Sequence, residues 1–179
     1  MSHAAVPIAG ALLLGRGRLS VPVIIVGIIF AMLPDADVIG FPLGIDYADS
    51  WGHRGATHSL LFAAAAALLA IALIRPQRYV VVSLFLFVAM ASHGLLDTLT
   101  NGGLGSALFW PWDETRHFAP LTPIAVSPIG ISDFISSRGM KVLQSEAIWI
   151  WAPLAMLVAT VLSLKQWRMR WLRQNGMAQ

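Results

Sequence analysis

Cysteine is absent from the 179 residues. That excludes disulfides, thiolate metal ligands and cysteine nucleophiles, and it leaves the redox compartment open. Charge is scarce too. Asp, Glu, Lys and Arg together make up 12% of the chain, where a soluble domain carries about 25%. Hydrophobic residues reach 57%, and the mean hydropathy is +0.71. So few charges cannot cover a soluble surface of this size, and the expected solvent is a bilayer. Basic residues are missing ahead of the first apolar stretch. The first one, Arg16, follows it, which argues against a cleaved signal peptide. The length suits one domain, expected to run 1–179.

Five apolar segments stand out: Ala4–Leu14, Val21–Leu33, Leu60–Ile74, Val80–Leu96 and Ala147–Leu164. A spanning helix needs ~20 residues. The last two meet this length, the third does so if its flanks count, and the first two suit a short hairpin through Gly15-Arg16-Gly17-Arg18. The expected fold is all-α: a polytopic transmembrane bundle of about five membrane helices with a long outer loop. The alanine run Ala63–Ala67 suits close helix packing. Ser132 and Asp133 are expected to start a short helix lying on the membrane. Trp110-Pro111-Trp112 suits the headgroup level.

The basic residues set a direction. With five spans and the N-terminus outside, the cytoplasmic segments hold Arg16, Arg18, Arg75, Arg78, Lys165, Arg168, Arg170 and Arg173, which is eight of the twelve. The positive-inside bias therefore favours N-out, C-in in a cytoplasmic membrane. All nine acidic residues fall on the outer side. The net charge of +3 and a pI near 10 raise the question of nucleic acid. The basic tail is interleaved with Trp167 and Trp171, however, and reads as an interfacial anchor to anionic lipid.

The same threading brings ligand-type side chains to the outer ends of four segments. His3 precedes the first. Asp35 and Asp37 follow the second in Pro-Asp-Ala-Asp. His53 and His58 lead into the third, and His93 and Asp97 close the fourth on one helix face. The direction rests on Arg and Lys alone, so this convergence is a separate observation. Ionisable groups at membrane depth are costly and face partners or a site. A divalent cation resolves that cost. Mixed imidazole and carboxylate ligands suit zinc, with manganese or iron as alternatives. Seven candidate ligands (His3, Asp35, Asp37, His53, His58, His93 and Asp97) leave room for one or two ions. Two metals form a common device for phosphoester hydrolysis.

Arg54, between His53 and Gly55, is placed to clamp a phosphate or carboxylate, or to pair with Asp35 or Asp37. Gly52 and Gly55 let this loop fold tightly. Asp35 or Asp37 is the expected general base if it is not a ligand. Plainer roles compete: Asp35 and Asp37 as a turn or as a partner to a histidine, His93 and Asp97 as a hydrogen-bonded structural pair, and His117 as a solvated loop residue.

Leu-Pro-Asp-Ala-Asp (33–37), His-Arg-Gly-Ala-Thr-His-Ser (53–59) and Ser-His-Gly-Leu-Leu-Asp-Thr-Leu-Thr (92–100) together resemble the signature of the YdjM/YbcI-like inner-membrane metal-dependent hydrolases. His3, Phe-Trp-Pro-Trp-Asp (109–113) and the stretch 123–130 fit as well. The resemblance implies a polytopic membrane protein and a metal-dependent hydrolase, with His3, Asp35, Asp37, His53, Arg54, His58, His93 and Asp97 in the site. A looser similarity to zinc-dependent phospholipase C and P1-type nucleases points to phosphoester substrates by analogy. The expected activity is hydrolysis of a phosphoester or ester of a lipid-like substrate at the outer leaflet by metal-activated water. The competing classes are a metal-binding or metal-transporting membrane protein, and a structural one without metal.

Overall fold

A computed structural model describes residues 2–15, 17–128 and 135–177. A 3₁₀ turn, Ser2–Ala4, leads into α1 (Ala5–Leu14). Helix α2 (Val21–Met32) continues into a 3₁₀ stretch, Leu33–Leu43. A second 3₁₀ turn, Ala56–His58, precedes α3 (Leu60–Ile74), and α4 is Tyr79–Thr98. Helix α5 (Ser137–Glu146) passes through a π turn, Ala147–Trp151, into α6 (Ala152–Gln174). Strands are absent among the described residues, where isolated bridges pair Thr100 with Ile124 and Ser106 with His117. The expected helix start at Ser132 and Asp133 lies outside the described residues.

Three helical stretches are long and apolar enough to cross a membrane: Val21–Leu43, Tyr79–Thr98 and Ser137–Gln174. Ser2–Leu14 and Leu60–Ile74 are apolar but shorter. The third apolar segment therefore does not lengthen through its flanks. Its start is set by the Ser59 hydroxyl, which accepts the Phe62 N–H at 3.0 Å. Its end is set by Arg75, which turns left-handed at φ 48° just before Pro76. The Pro-Asp-Ala-Asp segment differs in the other direction. It stays helical, because a proline in the first turn lacks only an N–H that would have no partner there. The last segment also begins earlier than its apolar residues do, since α5 is polar and joins α6 without a break.

Helix α4 is central and packs on α1, α2 and α3. Small residues make the contacts close: Ala63, Ala67 and Ala70 of α3 are buried, and the Phe85 ring lies against Gly10 of α1 and Gly27 of α2. Leucines on the outer faces, such as Leu68, Leu73 and Leu84, stay exposed, as hydrocarbon-facing residues do. Helices α1 and α6 run parallel and are tied at both ends. The Ser2 hydroxyl accepts the Trp151 indole N–H at 2.8 Å, and Lys165 Nζ donates to the Leu13 carbonyl at 2.7 Å. Up-and-down packing therefore collects Arg18, Arg75, Arg78 and Lys165 at one end of the bundle. It collects His3, Asp35, His58 and Asp97 at the other.

Candidate metal centre

His93 sits in the last turns of α4 and is fully buried. Its Nδ1 lies 2.7 Å from the Ala31 carbonyl. A carbonyl only accepts, so Nδ1 carries the proton and the tautomer is set. Nε2 then presents its lone pair 3.2 Å from Asp35 Oδ1 and 3.8 Å from Asp97 Oδ2. A lone pair facing two carboxylates is repulsive unless a proton or a metal cation lies between them. His58, delivered by the turn before α3, repeats the pattern. Nδ1 is 3.3 Å from Asp37 Oδ2, while the buried Nε2 forms no hydrogen bond, although Asp97 Oδ2 is 3.3 Å away. The two imidazole centroids are 4.7 Å apart. Ligand atoms of Asp35, His58, His93 and Asp97 all lie within 4.8 Å of one another.

His3 completes one flank. Its ring stacks on His93 with centroids 3.6 Å apart and planes at 17°. Its Nε2 is 3.6 Å from Asp97 Oδ1, the oxygen turned away from His58, and its Nδ1 is buried without a partner. On the other flank Asp37, His53 and His58 form a second set of ligand atoms within 4.8 Å. There Asp37 is heavily engaged. Oδ1 meets His53 Nδ1 at 2.7 Å, and Oδ2 accepts the Arg54 backbone N–H at 3.1 Å and the Thr57 hydroxyl at 2.9 Å. Such a carboxylate orients two imidazoles in the way that carboxylates behind metal-bound histidines do. Asp35 is different: its side chain is 48% exposed and borders the open side of the cluster.

Arg54 pairs with neither Asp35 nor Asp37 through its guanidinium, although its backbone N–H reaches Asp37. Nε lies 3.1 Å from Asp97 Oδ2, and Nη1 donates to the Thr100 hydroxyl at 2.9 Å and the Gly102 carbonyl at 3.0 Å. Its backbone is left-handed at φ 65°. That costs on the order of 1 kcal/mol and persists only because the surroundings demand it. Gly52 and Gly55 are required here: a Cβ on Gly52 would overlap the Asp46 carbonyl, and one on Gly55 the Ser50 carbonyl.

Charge decides what the cluster can do. Three carboxylates (Asp35, Asp37 and Asp97) meet one guanidinium, so neutral imidazoles leave two uncompensated negative charges. Burial alone would lower the pKa of His58, but the carboxylates of Asp35, Asp37 and Asp97 outweigh it and raise the pKa to about 10. The site therefore draws positive charge, either a proton on His58 or a cation. A cavity of about 270 Å³ opens beside the cluster, lined by polar residues that include His3, Asp35, Arg54 and Asp97 and by apolar ones that include Met32, Leu96 and Ile150.

Sequence reasoning did not foresee three features. Arg116 Nη1 donates to the His53 carbonyl at 2.8 Å and Nη2 to the Asp49 carbonyl at 2.8 Å, which fixes the loop carrying His53. Glu146, buried, lines the same cavity. A carboxylate immediately before an apolar run is its visible signal. His117 is half-buried against Phe109, with ring centroids 5.2 Å apart, and not freely solvated.

Fold and site define a helical membrane protein with a buried imidazole–carboxylate cluster at one end of its bundle, able to hold a metal ion. The family profile described as YdjM inner membrane protein matches residues 1–171. The chain belongs to that family, and its place is the inner membrane. The inner membrane protein YbcI of Escherichia coli (strain K12) is 40% identical over 173 residues, covering 95% of this chain and 98% of that protein. No solved structure matches.

Proposed function

We propose that the protein is a metal-dependent hydrolase whose site opens at the outer leaflet and acts on a phosphoester or ester of a lipid-like substrate. The observation that carries this reading is the pair of imidazole Nε2 atoms, on His58 and His93, that converge on the carboxylates of Asp35 and Asp97 at 3.2 to 3.8 Å. Asp35, His58, His93 and Asp97 would hold the first ion, with His3 on the second oxygen of Asp97. The donor set favours zinc over manganese or iron. Such an ion supplies Lewis acidity and lowers the pKa of water. Where Asp35 is not a ligand, its half-exposed carboxylate is the one suited to act as general base. Arg54 holds Asp97 in place, and Asp37 holds His53 and His58.

The cavity supports a lipid-like substrate because its lining mixes charged and apolar side chains. The basic residues at the far end of the bundle support N-out, C-in, with the tail of α6 on anionic lipid. A metal transporter is the weaker alternative, since the described residues of α1 to α4 carry no ionisable group between the cluster and the basic end. The test uses purified protein and His93→Ala combined with Asp97→Ala. Elemental analysis is expected to find zinc in the first and little in the second, and equal content would remove the metal from the account. Chelator-sensitive release of product from a panel of bilayer phospholipids is expected of the wild type alone. Metal loading without any such product would favour the non-enzymatic alternative.

A further inference from the structure

We infer that Glu146 is a positioning residue of the metal site: through Ser2 it sets His3 against the second oxygen of Asp97. The inference rests on reading the cluster as a metal centre. Glu146 is 5% exposed and lines the same cavity as His3 and Asp97. Its Oε2 accepts from the Ser2 hydroxyl at 2.8 Å, and that hydroxyl accepts from the Trp151 indole N–H at 2.8 Å. The direction is set by the indole, which only donates and so leaves the Ser2 proton for the carboxylate. The Ser2 proton therefore points at Glu146.

The helix is built for this. A π turn closes its bonds from residue i to i+5, where an α turn closes them to i+4. The turn Ala147–Trp151 follows Glu146 directly, and it brings Glu146 and Trp151 onto the one serine. His3 is the next residue, in the same 3₁₀ turn. Its ring lies on His93 and its Nε2 faces Asp97 Oδ1. Beside this polar tie, Ala5 at the start of α1 packs with Ile124 and Ile150. Apolar contacts fix a position loosely, whereas a hydroxyl held between a donor and a carboxylate fixes a register.

The experiment titrates Co²⁺ into metal-free protein in detergent and reads the d–d absorption, which reports the ligand set, with binding affinity alongside. His3→Ala is expected to weaken binding and change the spectrum. Ser2→Ala and Glu146→Ala are expected to change the spectrum in the same way and to weaken binding about 10–100-fold, as losses behind a ligand do. Neither should add to His3→Ala when combined with it. Ser2→Thr and Glu146→Gln, which keep a hydroxyl and an acceptor oxygen, should recover most of the affinity. A wild-type spectrum in Ser2→Ala, with or without a lowered melting temperature, would overturn the role. That variant decides the matter even if Glu146→Ala fails to fold. No Co²⁺ binding by the wild type would instead overturn the metal centre.

Discussion

At the scale of single residues, the site is an arrangement of proton donors and lone pairs for which, on the proposed reading, one proton and one metal compete. His58 has a raised pKa of about 10, above its ordinary value near 6.5, so its protonated form stabilises the metal-free fold. That contribution is complete below about pH 6.5 and is lost as pH rises through about 10. The metal needs His58 unprotonated, so affinity changes in the opposite sense and strengthens with pH over the same range. Melting curves of chelated and zinc-loaded protein at pH 6.5 and 10 should show the chelated form losing stability and the loaded form gaining on it. Parallel curves would contradict competition at this imidazole. Much at this scale was legible in the sequence, because His and Asp are rare in apolar surroundings and each occurrence stands out. The partner of Arg54 was not. A guanidinium beside Gly55 has several carboxylates in reach, and its choice of Asp97 follows from a left-handed backbone that no spacing rule reports.

At the scale of elements, the close approach of the Ala56–His58 turn to α4 depends on one residue without a side chain. A Cβ on Gly94 would overlap the His58 carbonyl carbon and oxygen. Gly94→Ala should push the turn away from His93, cost about 1–3 kcal/mol from overpacking, and lower zinc content in elemental analysis. Full zinc with unchanged stability would show that the turn can yield freely. The helices themselves were largely readable from apolar runs, yet their ends were not. Val21–Leu33 carries on through Pro34 because proline is compatible with a first turn, and α5 adds polar residues to a helix that hydropathy starts at Ala147. Capping by Ser59 and the left-handed Arg75 cut α3 short where composition alone suggested extension.

At the scale of the whole molecule, the short helices suggest where the cluster sits. With 15 residues, α3 is about 22 Å long, less than the ~30 Å of bilayer hydrocarbon. Its end at the site continues into residues 52–59, which are mostly buried in protein. Irregular backbone at that depth is tolerated under such cover. The orientation has a direct test in a chain without cysteine. Gly17→Cys and Leu121→Cys place single thiols at the two ends of the bundle. A membrane-impermeant maleimide on intact cells should label Leu121→Cys and spare Gly17→Cys, and the reverse would invert the topology.

The ties at both ends of α1 and α6 also bear on biosynthesis. His3 leaves the ribosome well before Glu146 and Lys165, which hold its helix at either end. A nascent chain therefore carries Asp35, His58, His93 and Asp97 before the helix that fixes His3 has been made. Chains arrested before that point would lack the tie that sets His3 beside Asp97.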